Sequence, residues 1–259
     1  MVLISLLTAS AVMAAAARIE RRLGPSAAGW LAALPVAFAV SLVAIAADAT
    51  PDVAGSLALS AATHVPAQVA FGVTFAHVLR RRGLALGLGC GILAYLVGAL
   101  LVRGVPAALA VVVAAVALAV GPRLMPAGQP RLPAPRHWSG TALTCLSAAA
   151  VVGAVLLASR FAGAGVAGAV AAFPTMCATL TVVAVARDGA AAGVHALGGL
   201  VRSLPCYLAF CLVVALSAPG AGVVAVGLGL LACLGTATLT WRHVPKALRP
   251  HALSASDMG

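Results

Sequence analysis

Carboxylates are nearly missing from this chain. Five acids, Glu20, Asp48, Asp52, Asp188 and Asp257, stand among 259 residues, and none falls inside a long apolar run. That argues against paired-carboxylate hydrolysis and against proton-driven carriers that rely on an embedded carboxylate. Charge of either sign is scarce at 8%, aromatics make up 4%, and the six cysteines show no C-x-x-C spacing. No metal framework or structural disulfide is therefore expected, and Cys90, Cys145, Cys177, Cys206, Cys211 and Cys233 read as small core residues. H-E-x-x-H, G-x-S-x-G and P-loop motifs are absent, so the sequence predicts no enzyme and implies no cofactor. The net charge of +11 raises nucleic acid as a partner, but the basic residues are scattered through short connectors with no aromatic-interleaved patch, which argues against it.

What the chain has is apolar length. It is 63% hydrophobic with a mean hydropathy of +1.13, a composition that a soluble domain could not keep in water, so its expected partner is the lipid bilayer. A hydrocarbon core of about 30 Å takes roughly 20 helical residues. Nine segments qualify, near 3–17, 28–47, 54–78, 84–102, 104–121, 138–158, 162–186, 191–216 and 221–241. The first lacks a basic leading segment, so it reads as a span and not as a signal peptide. Alternate connectors differ sharply in charge. One side carries Arg18, Arg21, Arg22, Arg80, Arg81, Arg82, Arg123, Arg131, Arg136, Arg187, Arg242, Lys246 and Arg249; the other carries only Arg103 and Arg160. By the positive-inside rule this predicts a bacterial cytoplasmic-membrane protein with its N-terminus outside and its C-terminus in the cytoplasm. Trp30 and Trp138 read as interfacial anchors, and the Pro-rich stretch 123–138 as a semi-rigid linker.

A shift of 108 residues lays Trp30 on Trp138, Gly55 on Gly163, Pro66 on Pro174 and Gly91 on Gly199. The reading is an all-α, polytopic membrane helical bundle made of two parallel four-helix repeats, 1–108 and 109–218, with an extra helix and tail over 219–259. Gly83, Gly87 and Gly91 have the small-xxx-small spacing that brings helices close.

Pro66 and Pro174 stand in the middle of their spans, where each removes a helix hydrogen bond and frees backbone oxygens. Thr175, Cys177 and Thr179 are candidate partners in the second half, His64 and Gln68 in the first. Prolines that break corresponding spans of two repeats point to a midplane binding site. Packing alone is the plainer alternative, with hydroxyls bonding back to their own helix. Arg202, the one basic residue inside a span, needs a freed carbonyl, water or an anionic ligand, or else snorkels to the interface.

The second half, with Phe173, Pro174 and Thr175 in one helix and Ser203, Pro205 and Tyr207 in the next, resembles the GlpM-type family of small four-helix bacterial membrane proteins. The first half keeps Pro66 but lacks the Ser/Pro/Tyr cluster. The resemblance implies a tandem duplication with one diverged copy, adds Ser203 and Tyr207 to the candidate site, and carries a link to exopolysaccharide (alginate) production but no biochemical activity. Two functions are therefore expected to compete. One is a permease for a small anionic or polar solute, using His64, Pro66, Gln68, Pro174, Thr175, Arg202, Ser203 and Tyr207. The other is a non-transporting accessory subunit of envelope or exopolysaccharide assembly, with a homo-oligomer or an assembly partner.

Overall fold

The computed structural model describes residues 35–48, 51–126, 150 and 153–242. The expected first span, Trp30, Trp138, Cys145, most of the linker, most of the sixth span and the C-terminal tail lie outside them. Every regular element among the described residues is an α-helix: α1 (Val36–Asp48), α2 (Pro51–Thr63), α3 (Val65–Arg82), α4 (Leu84–Val102), α5 (Ala107–Leu124), α6 (Gly163–Ala172), α7 (Thr175–Asp188), α8 (Ala190–Ala221) and α9 (Val224–Arg242). Residues 153–161 are helical as well.

Two of the apolar segments are interrupted where their prolines stand. The segment expected at 54–78 is α2 and α3, separated only by His64, with Pro66 in the first turn of α3. The segment expected at 162–186 is α6 and α7, separated by Phe173 and Pro174. Phe173 is extended (φ −63°, ψ 125°), the conformation imposed on a residue that precedes proline.

The longest helix, α8, is the axis of the bundle. Its 32 residues span about 48 Å at 1.5 Å per residue. It packs on α2, α3, α5, α7 and α9. Against α2 and α3 the register is antiparallel and constant: Gly55 faces Ala215 and Ala218, Gly72 faces Leu200 and Val201, and Leu79 faces Gly193. Tyr207 of α8 therefore comes level with Pro66, close to the midpoint of both elements. The two broken helices run in the same direction beside each other, since Ser60 meets Gly165 and Gln68 meets Ala172.

Small residues permit these approaches. A Cβ on Gly168 would lie 2.9 Å from the Ala61 backbone nitrogen, and one on Gly98 would lie 3.0 Å from the Ala67 Cα. Gly87 and Gly91 receive Leu79 and Phe75 of α3 in the same way. Gly83 and Gly189, at φ 87° and 81°, each make a one-residue turn into the next helix, a left-handed conformation that favours glycine.

The outer faces are bare and apolar. Leu93, Leu96, Leu100 and Leu101 of α4, Val112 and Val116 of α5, and Leu231 and Leu234 of α9 are all exposed. Four elements are long and apolar enough to cross a membrane: Leu84–Val102, Ala107–Leu124, Gly163–Asp188 and Ala190–Ala221. This architecture is compatible with a helical membrane protein, in which hydrocarbon replaces water on such faces.

The glycine packing makes a prediction. Gly87→Leu forces a side chain into the Leu79 backbone and lowers stability by about 1–3 kcal/mol. Gly89 has nothing within 4 Å of its Cβ position, so Gly89→Leu changes stability by less than about 0.5 kcal/mol. Thermal unfolding of the two variants in the same detergent distinguishes them.

Candidate functional site

Each helix break can be followed carbonyl by carbonyl. In an unbroken helix the Ser60 oxygen would receive the His64 amide; here that amide turns to Ala61 at 3.2 Å. Ser60 instead accepts from the Thr63 hydroxyl at 2.7 Å and from His64 Nδ1 at 2.7 Å. A carbonyl can only accept, so Nδ1 carries the hydrogen in this contact.

The second break follows the same logic with donors from other helices. The Phe173 amide turns to Val170 at 3.2 Å and the Thr175 amide to Phe173 at 2.8 Å, which leaves Ala169 and Ala171 without their usual partners. The Tyr95 hydroxyl of α4 donates to the Ala169 oxygen at 2.5 Å. Gln68 Nε2 of α3 donates to the Ala172 oxygen at 2.6 Å. The Ser60 hydroxyl reaches the Gly165 oxygen at 3.1 Å. The expectation that Thr175 or Thr179 would serve this break is corrected: neither side chain hydrogen-bonds a described residue, and donors from α3 and α4 do the work. Thr175 and Thr179 follow Pro174 on α7, whereas the freed oxygens precede it on α6, so side chains from neighbouring helices reach them more directly.

Around these bonds lies an aromatic collar. Phe173 meets Tyr95 edge-on at 5.0 Å and Phe71 at 5.9 Å, and Phe71 meets Phe75 at 5.6 Å. On the other side Tyr207 stacks on Phe38 at 6.2 Å. Its hydroxyl sits beside Gln68 and Cys211 and completes a hydrogen bond with neither. It is a fully buried polar atom left unanswered, a costly arrangement in an apolar interior.

The structure therefore brings together His64, Pro66, Gln68, Pro174 and Tyr207, and adds Ser60 and Tyr95, which the sequence reading missed. Tyr95 and Tyr207 are the chain's two tyrosines, and both fall inside apolar runs, where a phenol needs a partner. That was the available signal. Ser203 is buried but turned onto its own helix, donating to Gly199 and Leu200 at 3.0 and 2.9 Å. Arg202 stands apart. Five residues from Tyr207, it lies roughly 140° around α8, on the less covered face with His195, Pro205 and Ala209.

Among the described residues, no group of three His, Cys, Asp or Glu side chains could hold a metal. The described cysteines, Cys90, Cys177, Cys206, Cys211 and Cys233, are free thiols. Fold and site together describe an all-helical bundle, compatible with a membrane protein, whose two broken helices are joined through buried polar side chains. No protein-family model, curated protein or solved structure matches this chain.

The Gln68 bond yields a second prediction. Gln68→Leu removes the side-chain donor that reaches the buried Ala172 oxygen from α3 and costs about 1–3 kcal/mol. Thr175→Val removes a hydroxyl that bonds no described residue and costs less than about 0.5 kcal/mol. Chemical or thermal unfolding in detergent reads the difference.

Proposed function

We propose that this chain is a small-solute permease of a bacterial cytoplasmic membrane, with its site at mid-height where the two broken helices meet α8. In this reading the solute is polar and uncharged. Arg202 points away from the site, and the described carboxylates, Asp48, Asp52 and Asp188, stand at helix ends. Hydrogen bonding at Gln68, Tyr207 and His64 then does the recognising, between the rings of Phe173, Phe71 and Phe38.

The observation that carries the reading is the Tyr207 hydroxyl, buried and unpaired, next to the amide that links the two broken helices. A buried donor without a partner is a place where a ligand oxygen or nitrogen gains what the protein leaves unmet. The breaks also support two parallel four-helix repeats, over 1–108 and 109–218, with 219–259 as an added helix and tail. Pro66 and Pro174 are equivalent in that scheme, and both helices run the same way. The proposed nine spans, with the N-terminus outside and the C-terminus in the cytoplasm, rest on the arginine asymmetry. The resemblance to the GlpM-type proteins belongs to the same proposal.

One observation favours the other function. Ser60, His64, Gln68 and Tyr95 are all engaged with backbone oxygens, as in a static scaffold, and a scaffold suits an accessory subunit of exopolysaccharide assembly.

A ligand-stabilisation screen separates the two. Purified protein is melted against uncharged polyols and amides and against carboxylates and phosphates of matched size. The permease reading expects an uncharged solute to raise the melting temperature of the parent and of Arg202→Gln but not of Tyr207→Phe. If no solute stabilises the parent and a second envelope protein copurifies with it, the accessory reading replaces this one.

A further inference from the structure

The two helix breaks are held in different ways. At the first, the Ser60 oxygen takes its donors from Thr63 and His64, so it is met whatever the neighbouring helices do. At the second, the oxygens of Gly165, Ala169 and Ala172 take side-chain donors from Ser60 of α2, Tyr95 of α4 and Gln68 of α3. Residues at this spacing form one stripe along α6. Their bonds to the other helices last only while α6 is docked.

α6 is also a separate link in the chain. The extended Phe173 and Pro174 bound it at one end, and Gly163, at φ 79°, divides it from the helical residues 153–161 at the other. Among the described helices α6 packs on α2, whereas α7, beyond the proline, packs on α8 and lightly on α4. Of the ten residues of α6 only Val166 and Val170 are larger than alanine. Docking therefore buries little side-chain area, and the three hydrogen bonds carry a large share of the attachment. The outer side is open. Nothing lies within 4 Å of the Cβ positions of Gly163 and Gly165, and Val166 is exposed.

We propose that α6 is a hinged strap. It swings off α2 about Phe173 and Pro174, with Gly163 taking up the change at its far end, while α7 stays on α8. α2 precedes Pro66, so the strap covers the half of the bundle away from the basic end that carries Arg80, Arg81, Arg82 and Arg187. Its swing opens the cluster around Gln68 and Tyr207 toward that side. Undocking parts the Gln68 amide from the Ala172 oxygen, a donor from an acceptor. A polar solute that carries both kinds of group replaces the bond on each side, so its entry and the motion of the strap are coupled. That use of the swing rests on the permease reading; the swing itself does not.

The full-length protein in lipid nanodiscs is spin-labelled at Val166 and Leu216, both exposed, through an introduced keto amino acid, so that the six cysteines stay in place. Leu109 with Leu216 is the reference pair, off the strap. Val166 is seven residues from Phe173, an arm of about 10 Å, so a swing of about 20° moves it by about 4 Å. Double electron–electron resonance is expected to show that displacement as a second distance for the strap pair and one distance for the reference pair. Tyr95→Phe and Gln68→Leu each remove one grip, and each is expected to raise the ratio of swung to docked molecules by roughly three- to ten-fold. Tyr95→Phe keeps its ring against Phe173, so it tests the strap even where Gln68→Leu folds poorly. Ser217→Ala, whose hydroxyl bonds Val213 of its own helix, is expected to keep the distances of the parent. Two results overturn the proposal: one unchanged distance for the strap pair in the parent and both grip variants, even where a solute raises the melting temperature; or equal broadening of both pairs, which marks loosening of the whole bundle. A swing that no uncharged solute alters upholds the strap and counts against the permease reading.

Discussion

The structure depends on what becomes of backbone oxygens that proline sets free in hydrocarbon. Water cannot reach them at that depth, so each must be met by a donor from the protein. The break at His64 is met locally, by Thr63 and the His64 ring. The break at Pro174 is met from α3 and α4, by Gln68 and Tyr95. This unequal solution ties the two halves together. Gln68 cannot satisfy Ala172 unless the helices touch, which is why Gly168 lies on the backbone of Ala61 and no larger residue fits there.

Polar work is divided by height. Near the level of Pro66 and Tyr207 the groups are amides, phenols, an imidazole and a thiol, none needing a counter-ion when neutral. The guanidinium of Arg202 is carried a turn or more toward the bundle end, against Gly198. Side chains on a helix lean toward its N-terminus, so a residue early in α8 is turned by covalent geometry toward the basic end. The same residue placed a turn after Tyr207 would have leaned toward the midpoint.

The helix positions were legible in the sequence because hydropathy and proline punctuation act locally. Leu84–Val102 occupies the residues expected of a span, and both broken segments part where their prolines stand. The partners of the freed oxygens were half legible. His64 and Gln68 were visible as polar residues in apolar runs. The reach of Gln68 across 104 positions was not, because it depends on which helices pack together and periodicity carries no such information. Tyr95 was missed for the same reason. Arg202 looked central when measured along its own span. The register of α8 against α3 and the backward lean of its side chain move its charge off centre, and both are properties of packing.

The length of α8 bears on the membranes this fold can occupy. At about 48 Å it exceeds a hydrocarbon core of about 30 Å by far more than the usual helix tilt of about 20° can hide. Some of it must stand in the headgroups at one or both ends. Those ends are Ala190, Ala191, Ala192 and Gly193 on one side and Ala218, Pro219, Gly220 and Ala221 on the other. Such residues carry little apolar surface, so sliding them between hydrocarbon and headgroup changes the free energy only slightly. The axis of the bundle is thereby made tolerant of hydrophobic mismatch, and its polar centre can hold its depth as bilayer thickness varies.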